Sequence, residues 1–230
     1  MNKTLKTVLC VVLAICIVGL VVAIYDSVMQ PVRFNKEQAK RESVAIQQLK
    51  DIRDLQVAFK SVNGKFTASF DTLKQFYNQG QMVVLMQVGS QDDSSAMAHT
   101  EAIKKSHKGI TPEGLLALYN GGDRQLVFSV ENKINVKDTL FRSRKDFDIN
   151  KIDVIPFSEG AKVEMNAVIK KVSGVDVPLF EAKLPYKALL SGMDNQLRIN
   201  LDADRRDQGR YEGLQVGSVT APNNNAGNWE

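Results

Sequence analysis

Apolar positions are unevenly spread along the chain, and the densest run lies near its start. Residues 8–25, VLCVVLAICIVGLVVAIY, contain no charged side chain. At about 1.5 Å of helix per residue this run makes about 27 Å, close to the roughly 30 Å of a bilayer's hydrocarbon core. It is not followed by an A-x-A-like cleavage site, so it predicts an uncleaved transmembrane helix rather than a cleaved signal peptide.

The segment that follows predicts an amphipathic helical stalk, with its helix over residues 35–62. Apolar residues recur near the helical period of about 3.6 residues, and charged residues occupy the other faces. Two interpretations are open: the apolar face packs on the protein's own domain, or it contacts a partner or another copy as in a coiled coil. The candidate partner-contact residues are Ala45, Leu49, Ile52, Leu55 and Phe59.

A structural corner is predicted where this helix ends, in the stretch FKSVNGKFTASFDTLKQF. Asn63-Gly64 ends the helix because glycine adopts the left-handed conformation without steric cost. Ser69 or Asp71 then caps a second helix, whose apolar side turns back toward the first. The corner residues are Phe59, Asn63, Gly64, Phe66, Phe70 and Leu73.

The remaining pattern predicts short helices followed by strands. Residues 81–88, QMVVLMQV, are an apolar run typical of a buried strand. Residues 99–106 and 112–118 predict helices, the second capped by Thr111. The other predicted elements are strands at residues 126–130, 151–156, 162–172, 175–183 and 196–202, a hairpin turn at Ser173-Gly174, and one helical turn at residues 185–190.

These elements predict an α+β fold with an N-terminal transmembrane helix, an amphipathic stalk, mixed helices and a mainly antiparallel sheet. Trp229, the only tryptophan, would anchor the C-terminal tail if the tail is ordered. The predicted segments are a basic N-terminal segment 1–7, a transmembrane helix 8–25, a stalk 26–62, a helical and strand subdomain 63–122, a β-rich subdomain 123–220 and a flexible tail 221–230.

Charge and cysteine placement bear on location. Lys3 and Lys6 favour a cytoplasmic N-terminus by the positive-inside rule, although four basic residues also follow the apolar run. Both cysteines, Cys10 and Cys16, lie inside that run, so the rest of the chain suits an oxidising compartment. We therefore expect a bacterial inner-membrane protein, crossing once, with a cytoplasmic N-terminus and a periplasmic bulk.

The overall charge argues against nucleic acid as a partner. The formal net charge is +4, of which Lys3 and Lys6 supply two, so the part beyond Tyr25 is close to neutral. A nucleic-acid surface needs a much larger positive excess with interleaved aromatic side chains.

Residue types that carry chemistry are sparse. His99 and His107 are the only histidines, and a metal site needs three or four converging ligands. Nucleophile elbows and glycine-rich phosphate loops are absent from the sequence. Asp202, Asp204 and Asp207 form a weak alternative as a calcium loop that departs from EF-hand spacing. We expect no enzyme activity, no cofactor and no metal.

The order of features resembles that of type II secretion pseudopilins and type IV pilins over residues 8–76. In those families a helix closes on an aromatic residue, then Asn-Gly and a second aromatic residue, then a short helix; here Phe59, Asn63-Gly64, Phe66 and Leu73 take these places. The prepilin cleavage motif and a membrane-embedded glutamate are absent, and Pro31 is expected to interrupt the helix. The resemblance implies a shared build rather than a shared filament.

Taken together, these features predict a non-enzymatic membrane scaffold or assembly subunit of an envelope machine of the secretion or pilus type. Its expected partners are the lipid bilayer and other envelope proteins, or a second copy through the stalk. The alternative is a membrane-tethered extracytoplasmic module that binds a small ligand or calcium.

Overall fold

The structure is a computed structural model that describes residues 3–230, with side chains from residue 10 onward. The predicted basic segment 1–7 lies outside the residues whose side chains are described. The helices are α1 Lys3–Asn63, α2 Phe70–Gln79, α3 Ser94–Ser106, α4 Pro112–Asn120, α5 Val136–Thr139, α6 Tyr186–Leu189 and α7 Asn195–Asp207. The strands are β1 Gln81–Val88, β2 Phe128–Asn135, β3 Glu164–Val172, β4 Val175–Pro185 and β5 Gly213–Gly217.

The chain divides into two compact units, and neither follows the predicted subdomain boundaries. The discontinuous unit holds the chain up to Arg53 together with Asn150–Glu230, and the inserted unit holds Asp54–Ile149. The predicted boundary between residues 122 and 123 is wrong because β1 and β2, on either side of it, pair with each other. α1 supplies residues to both units.

Helix α1 continues through Pro31, so the expected interruption does not occur. A proline inside a helix removes one backbone hydrogen bond and strains the preceding turn. Tertiary contacts lie on both sides of Pro31: the Gln30 amide donates to Asp194 Oδ2 at 2.6 Å, and Phe34 is buried.

The N-terminal part of α1 is long and apolar enough to cross a membrane. Its most apolar window has a mean hydropathy of 2.6, and none of that window is buried inside the protein. Leu13, Ile15 and Val18 are each more than half exposed. An apolar surface of this extent is unfavourable in water, so length and composition both suit a bilayer.

The apolar face of the predicted stalk lies in the protein's interior. Ala45, Leu49, Ile52 and Leu55 are fully buried, and Phe59 is 9% exposed. A second molecule cannot reach these side chains in the folded chain, so their assignment as partner-contact residues is wrong. The structure matches the other interpretation, in which the helix packs on its own domain.

A three-stranded antiparallel sheet with the order β3-β4-β5 forms the centre of the discontinuous unit. The predicted hairpin between β3 and β4 is confirmed, with positive φ at both Ser173 and Gly174 as a two-residue type I′ turn requires. α1 is fixed to this unit through backbone carbonyls. Arg41 donates to the Leu189 and Ser191 carbonyls, and Gln48 to the Ile152 and Val154 carbonyls.

Two strands predicted in this unit are absent from the described chain. Residues 196–202 lie in α7, because Asp194 caps the helix by accepting from Leu197 N at 2.9 Å and Arg198 pairs with Asp202 one turn later. Residues 151–156 contain the end of a 3₁₀ turn, Ile149–Lys151, and a single bridge between Val154 and Lys162.

The predicted flexible tail is tied down by hydrogen bonds. The Asn228 side chain donates to the Gly213 carbonyl at 2.9 Å and accepts from Gln215 N at 3.1 Å. Arg53 pairs with Glu230 at 2.7 Å, and the indole Nε1 of Trp229 is buried. Residues 227–230 therefore pack on the discontinuous unit.

The predicted corner at the end of α1 forms within the inserted unit, but Phe59 packs on Phe76 and Phe70 is less buried than expected. Gly64 has φ +72° and donates to the Lys60 carbonyl, ending the helix as expected. Phe59 packs edge-to-face on Phe76, with ring centroids 5.2 Å apart, while Phe70 is only half-buried. The N-cap of α2 is Ser69, whose side chain accepts from Thr72 N.

A buried glutamine that the sequence did not single out closes the same corner. Gln56 is fully buried, and its side-chain amide both donates to the Thr67 carbonyl and accepts from Thr67 N at 3.1 Å. This pair of bonds fixes the loop before α2 against α1, because a buried backbone group left unpaired is costly.

Leu49→Ala should destabilise the protein by about 2–5 kcal/mol, since a fully buried leucine is truncated and leaves a cavity. Denaturant unfolding of the full chain in detergent, followed by circular dichroism, measures the loss. Val44→Ala is the matched control, because Val44 lies on the same helix and is 44% exposed. Equal stability of the two variants would contradict the interior placement of Leu49.

Candidate interaction surface

The most unusual surface of the inserted unit is a two-stranded antiparallel ribbon of β1 and β2. The register is continuous from Gln81↔Asn135 to Val88↔Phe128. The bounds predicted for β1 are confirmed, but the prediction that the strand is buried is wrong. Val83 and Leu85 are 54% and 63% exposed, and Val84 and Met86 are also exposed.

The reason for this exposure lies in where the core of the inserted unit ends. The first half of β2 packs against α3 and α4, in a cluster of buried residues that reaches β1 only at its last residue. The cluster consists of Val88, Leu115, Leu126, Phe128 and Val130, with Ile103, Ile110, Leu116 and Tyr119 packed against it. The preceding part of β1 projects beyond this cover.

One edge of β1 has no strand beside it in the described part of the chain. The Val136 N–H donates to the Gly80 carbonyl at 3.0 Å, one step beyond the Gln81↔Asn135 pair. Hydrogen-bonded and non-hydrogen-bonded pairs alternate along antiparallel strands. Met82, Val84 and Met86 therefore direct their backbone polar groups toward β2, while those of Val83 and Leu85 point toward the open edge.

β1 carries none of the features that usually protect an edge strand. Natural edge strands carry lysine, proline or a bulge that discourages pairing with another chain. β1 has no charged residue and no proline, and its pairing with β2 has no bulge. An apolar strand with an open edge is therefore available for β-strand addition.

The other sequence-predicted residues do not assemble into a catalytic or metal site. His99 Nε2 lies 2.8 Å from Asp123 Oδ2, and no hydroxyl or thiol among the described residues hydrogen-bonds to that histidine. His107 contacts the neighbouring Ser106 hydroxyl. In the part of the chain that the structure describes, no group of three His, Cys, Asp or Glu residues is placed to hold a metal ion.

The alternative prediction of a calcium loop is wrong, because its residues are helical. Asp202, Asp204 and Asp207 lie on α7 rather than in a loop, so they point in different directions around the helix. Asp202 is buried and pairs with Arg198, whereas Asp204 and Asp207 are exposed. The three carboxylates do not converge on one ion.

Asp202 instead lines a cavity of about 620 Å³ in the discontinuous unit. Four cationic side chains border it: Lys187, Arg198, Arg206 and Arg210. Arg198 pairs with Asp202 and Arg206 with Glu212, each at 2.6 Å. Lys187 and Arg210 form no ion pair within the described chain, so the cavity keeps two uncompensated positive charges.

The electrostatics of this cavity are set by burial and by its ion pairs. Burial raises the pKa of Asp202 above its usual value, with Arg198 acting in the opposite direction. The side-chain hydrogen bond from Arg206 lowers the pKa of the Glu212 carboxyl. Asp202 Oδ1 is buried without a hydrogen-bond partner. The cavity thus presents cations, whereas this acceptor oxygen is closed off from solvent.

Sequence reasoning missed both surfaces for the same reason. The composition of β1 was visible, but its exposure depends on the extent of the α3 and α4 cover, which no local signal gives. The basic residues of the cavity are scattered from Lys187 to Arg210, and only the helical form of α7 brings Arg198, Asp202 and Arg206 to one side.

Asp202→Asn should become more stable relative to the wild type as the pH rises from about 3 to about 6. A carboxyl whose pKa is raised on folding favours the folded state below the unfolded-state value and loses that contribution as the pH rises through the folded-state value. Melting temperatures of both proteins across this range measure the change. The opposite trend would mean that the Arg198 ion pair outweighs burial.

Comparison with known proteins gives no relative from which to transfer a role. No family model, no curated protein and no solved structure matches this chain.

Proposed function

We propose that this protein is a non-enzymatic assembly subunit of the bacterial envelope, anchored by one transmembrane helix and acting through its extracytoplasmic domain. The observation that carries the proposal is the exposed, uncharged strand β1 with its open edge. A strand of this kind costs free energy in water unless another chain pairs with it. Pairing with another envelope protein would satisfy the open edge of β1 and bury its apolar side chains.

The N-terminal part of α1 supports the membrane component of the proposal. It is exposed and apolar, and Asp26 and Arg33, just beyond it, form an exposed ion pair suited to the water side of an interface. We place the N-terminus in the cytoplasm and the chain beyond residue 25 in the periplasm, because the leader is basic and residues 26–230 contain no cysteine. The partial pseudopilin resemblance agrees with an envelope assembly role.

The test compares what is recovered with the full-length protein from native membranes after mild crosslinking. Val83→Lys with Leu85→Lys places two charges on β1 and should abolish recovery of the partners, because a charged edge resists strand addition. Folding should be unaffected, since exposed substitutions usually change stability by less than about 0.5 kcal/mol.

The control carries the same two changes on other exposed apolar positions. Ile169 and Val175 on the β3–β4 hairpin are 62% and 64% exposed, so Ile169→Lys with Val175→Lys matches the charge and the exposure lost. This control should retain the wild-type partners. Retention of the same partners by the β1 variant would remove β1 from the assembly role.

A second candidate function rests on the cavity beside α7. Its uncompensated cations, Lys187 and Arg210, suit a small anion. This is the function of a membrane-tethered ligand-binding module. Calcium is not its ligand, because the three candidate carboxylates diverge on α7.

Inorganic phosphate serves as the probe for this second function. It should raise the melting temperature of the wild type, since a ligand that binds only the folded state stabilises it by about 2.7 kcal/mol at a hundred times its Kd. Arg210→Ala should reduce the shift, while Lys171→Ala, a change on the exposed β3 strand, should not. An equal shift in all three proteins would mean non-specific binding.

A further inference from the structure

The sequence of β1 has an internal symmetry that bears on what pairs with it. Outward from Val84, the strand reads Val83 and Leu85, then Met82 and Met86, then Gln81 and Gln87. QMVVLMQ is therefore a palindrome apart from one Val-for-Leu exchange. A strand of this kind presents the same side chains in both directions from its central residue.

We propose that β1 pairs with β1 of a second copy of this chain, antiparallel, about a two-fold axis at Val84. The two ribbons then form one four-stranded sheet in the order β2-β1-β1-β2. This inference rests on the proposed assembly function and names the partner in it as a second copy. It replaces the helical stalk as the self-association surface, since the stalk face is buried.

Strand symmetry restricts where the axis can lie. Along antiparallel strands, residues that direct their backbone polar groups toward the partner strand alternate with residues that direct them away. A two-fold axis relates two identical strands, so the two residues of every pair must be of the same kind. It therefore passes between a residue and its own copy, never midway between two neighbours. A centre at Val84 meets this condition and aligns the palindrome with itself.

The backbone groups of β1 fit this centre. Val84 directs its polar backbone groups toward β2, so at the open edge it would form a non-hydrogen-bonded pair with Val84 of the second copy. Val83 and Leu85 direct theirs toward the open edge. Each would exchange two backbone hydrogen bonds with its counterpart, Val83 with Leu85 of the second copy, so the unpaired edge is satisfied.

The side chains also match at this register. On one face Met82 meets Met86 of the second copy, flanking the two Val84 side chains. On the other face Val83 meets Leu85, and the Gln81 amide meets the Gln87 amide, each able to donate and accept. No charge lies on either strand, so nothing at the joint repels a second copy. A centre at Leu85 would instead oppose Val83 to Gln87.

The expected affinity follows from the size of the contact. Pairing of one short strand falls at the small end of protein interfaces and is weak between free molecules in solution. Two copies held in one membrane by α1 meet at a much higher effective concentration. The proposed dimer therefore forms in the membrane, not as a tight complex of free domains.

Disulfide crosslinking of the full chain in membranes tests the proposal, with Cys10→Ala and Cys16→Ala as the background. In a non-hydrogen-bonded pair the Cα atoms lie about 4.5 Å apart, within the range of a disulfide. Val84→Cys should therefore give a covalent dimer under mild oxidation. Val175→Cys controls for random collision, because Val175 lies on another strand and is more exposed than Val84, at 64% against 37%.

The register gives a second readout. Val83→Cys and Leu85→Cys should each crosslink poorly alone, since a residue and its own copy would then be diagonal neighbours about 7–8 Å apart. Mixing differently tagged Val83→Cys and Leu85→Cys chains should restore the product. A homodimer of Leu85→Cys stronger than that of Val84→Cys would overturn the Val84 centre.

The outcomes separate this inference from the proposed function. A Val84→Cys dimer above the Val175→Cys control supports self-pairing. A Val84→Cys product with a different envelope protein overturns self-pairing and leaves the assembly role intact. A Val84→Cys signal no higher than the control overturns self-pairing, and the recovery experiment with Val83→Lys and Leu85→Lys then decides the assembly role, since a disulfide would need a cysteine on the other protein as well.

Discussion

The structure depends on the burial of one face of α1. α1 runs for 61 residues, and most helical stability in proteins comes from packing of an apolar face. Ala45, Leu49 and Ile52 supply that face to the discontinuous unit, and Leu55 and Phe59 supply it to the inserted unit. Side-chain bonds from Arg41, Gln48 and Gln56 to backbone carbonyls then fix the chain segments beside it. The face that looked suited to recruiting a partner is the one the fold itself requires.

The sequence predicts those features of the fold that neighbouring residues determine, and fails for those that depend on contacts between distant residues. Caps and turns are decided by a few neighbouring residues, so the sequence predicts them well: the structure confirms those at Asn63-Gly64, Thr111-Pro112 and Ser173-Gly174. The alternation of Leu197, Ile199 and Leu201 favours a strand, but the cap at Asp194 starts a helix there. On that helix Leu197 and Leu201 share one face and Ile199 is exposed on another. The exposure of β1 and the ordering of the tail depend on distant parts of the chain, which a single sequence does not specify.

The candidate surfaces divide in the same way. The composition of β1 and its symmetry about Val84 can be read directly from the sequence, whereas its open edge cannot, because that edge exists only by virtue of the pairing with β2. The cavity beside α7 cannot be predicted from the sequence, because its cations converge only when residues 195–207 are helical. A surface formed by one short segment can be predicted from the sequence, whereas a site formed by residues from several segments cannot.

The position of the single tryptophan gives the protein a built-in optical reporter. Trp229 packs its indole nitrogen into the interior of the discontinuous unit, and the inserted unit contains no tryptophan. Intrinsic fluorescence excited at the red edge of the absorption band therefore follows the unfolding of one unit only, while far-ultraviolet dichroism follows both. Coincidence of the two transitions would mean that the shared helix α1 couples the units into one cooperative system; separation would mean that they melt independently.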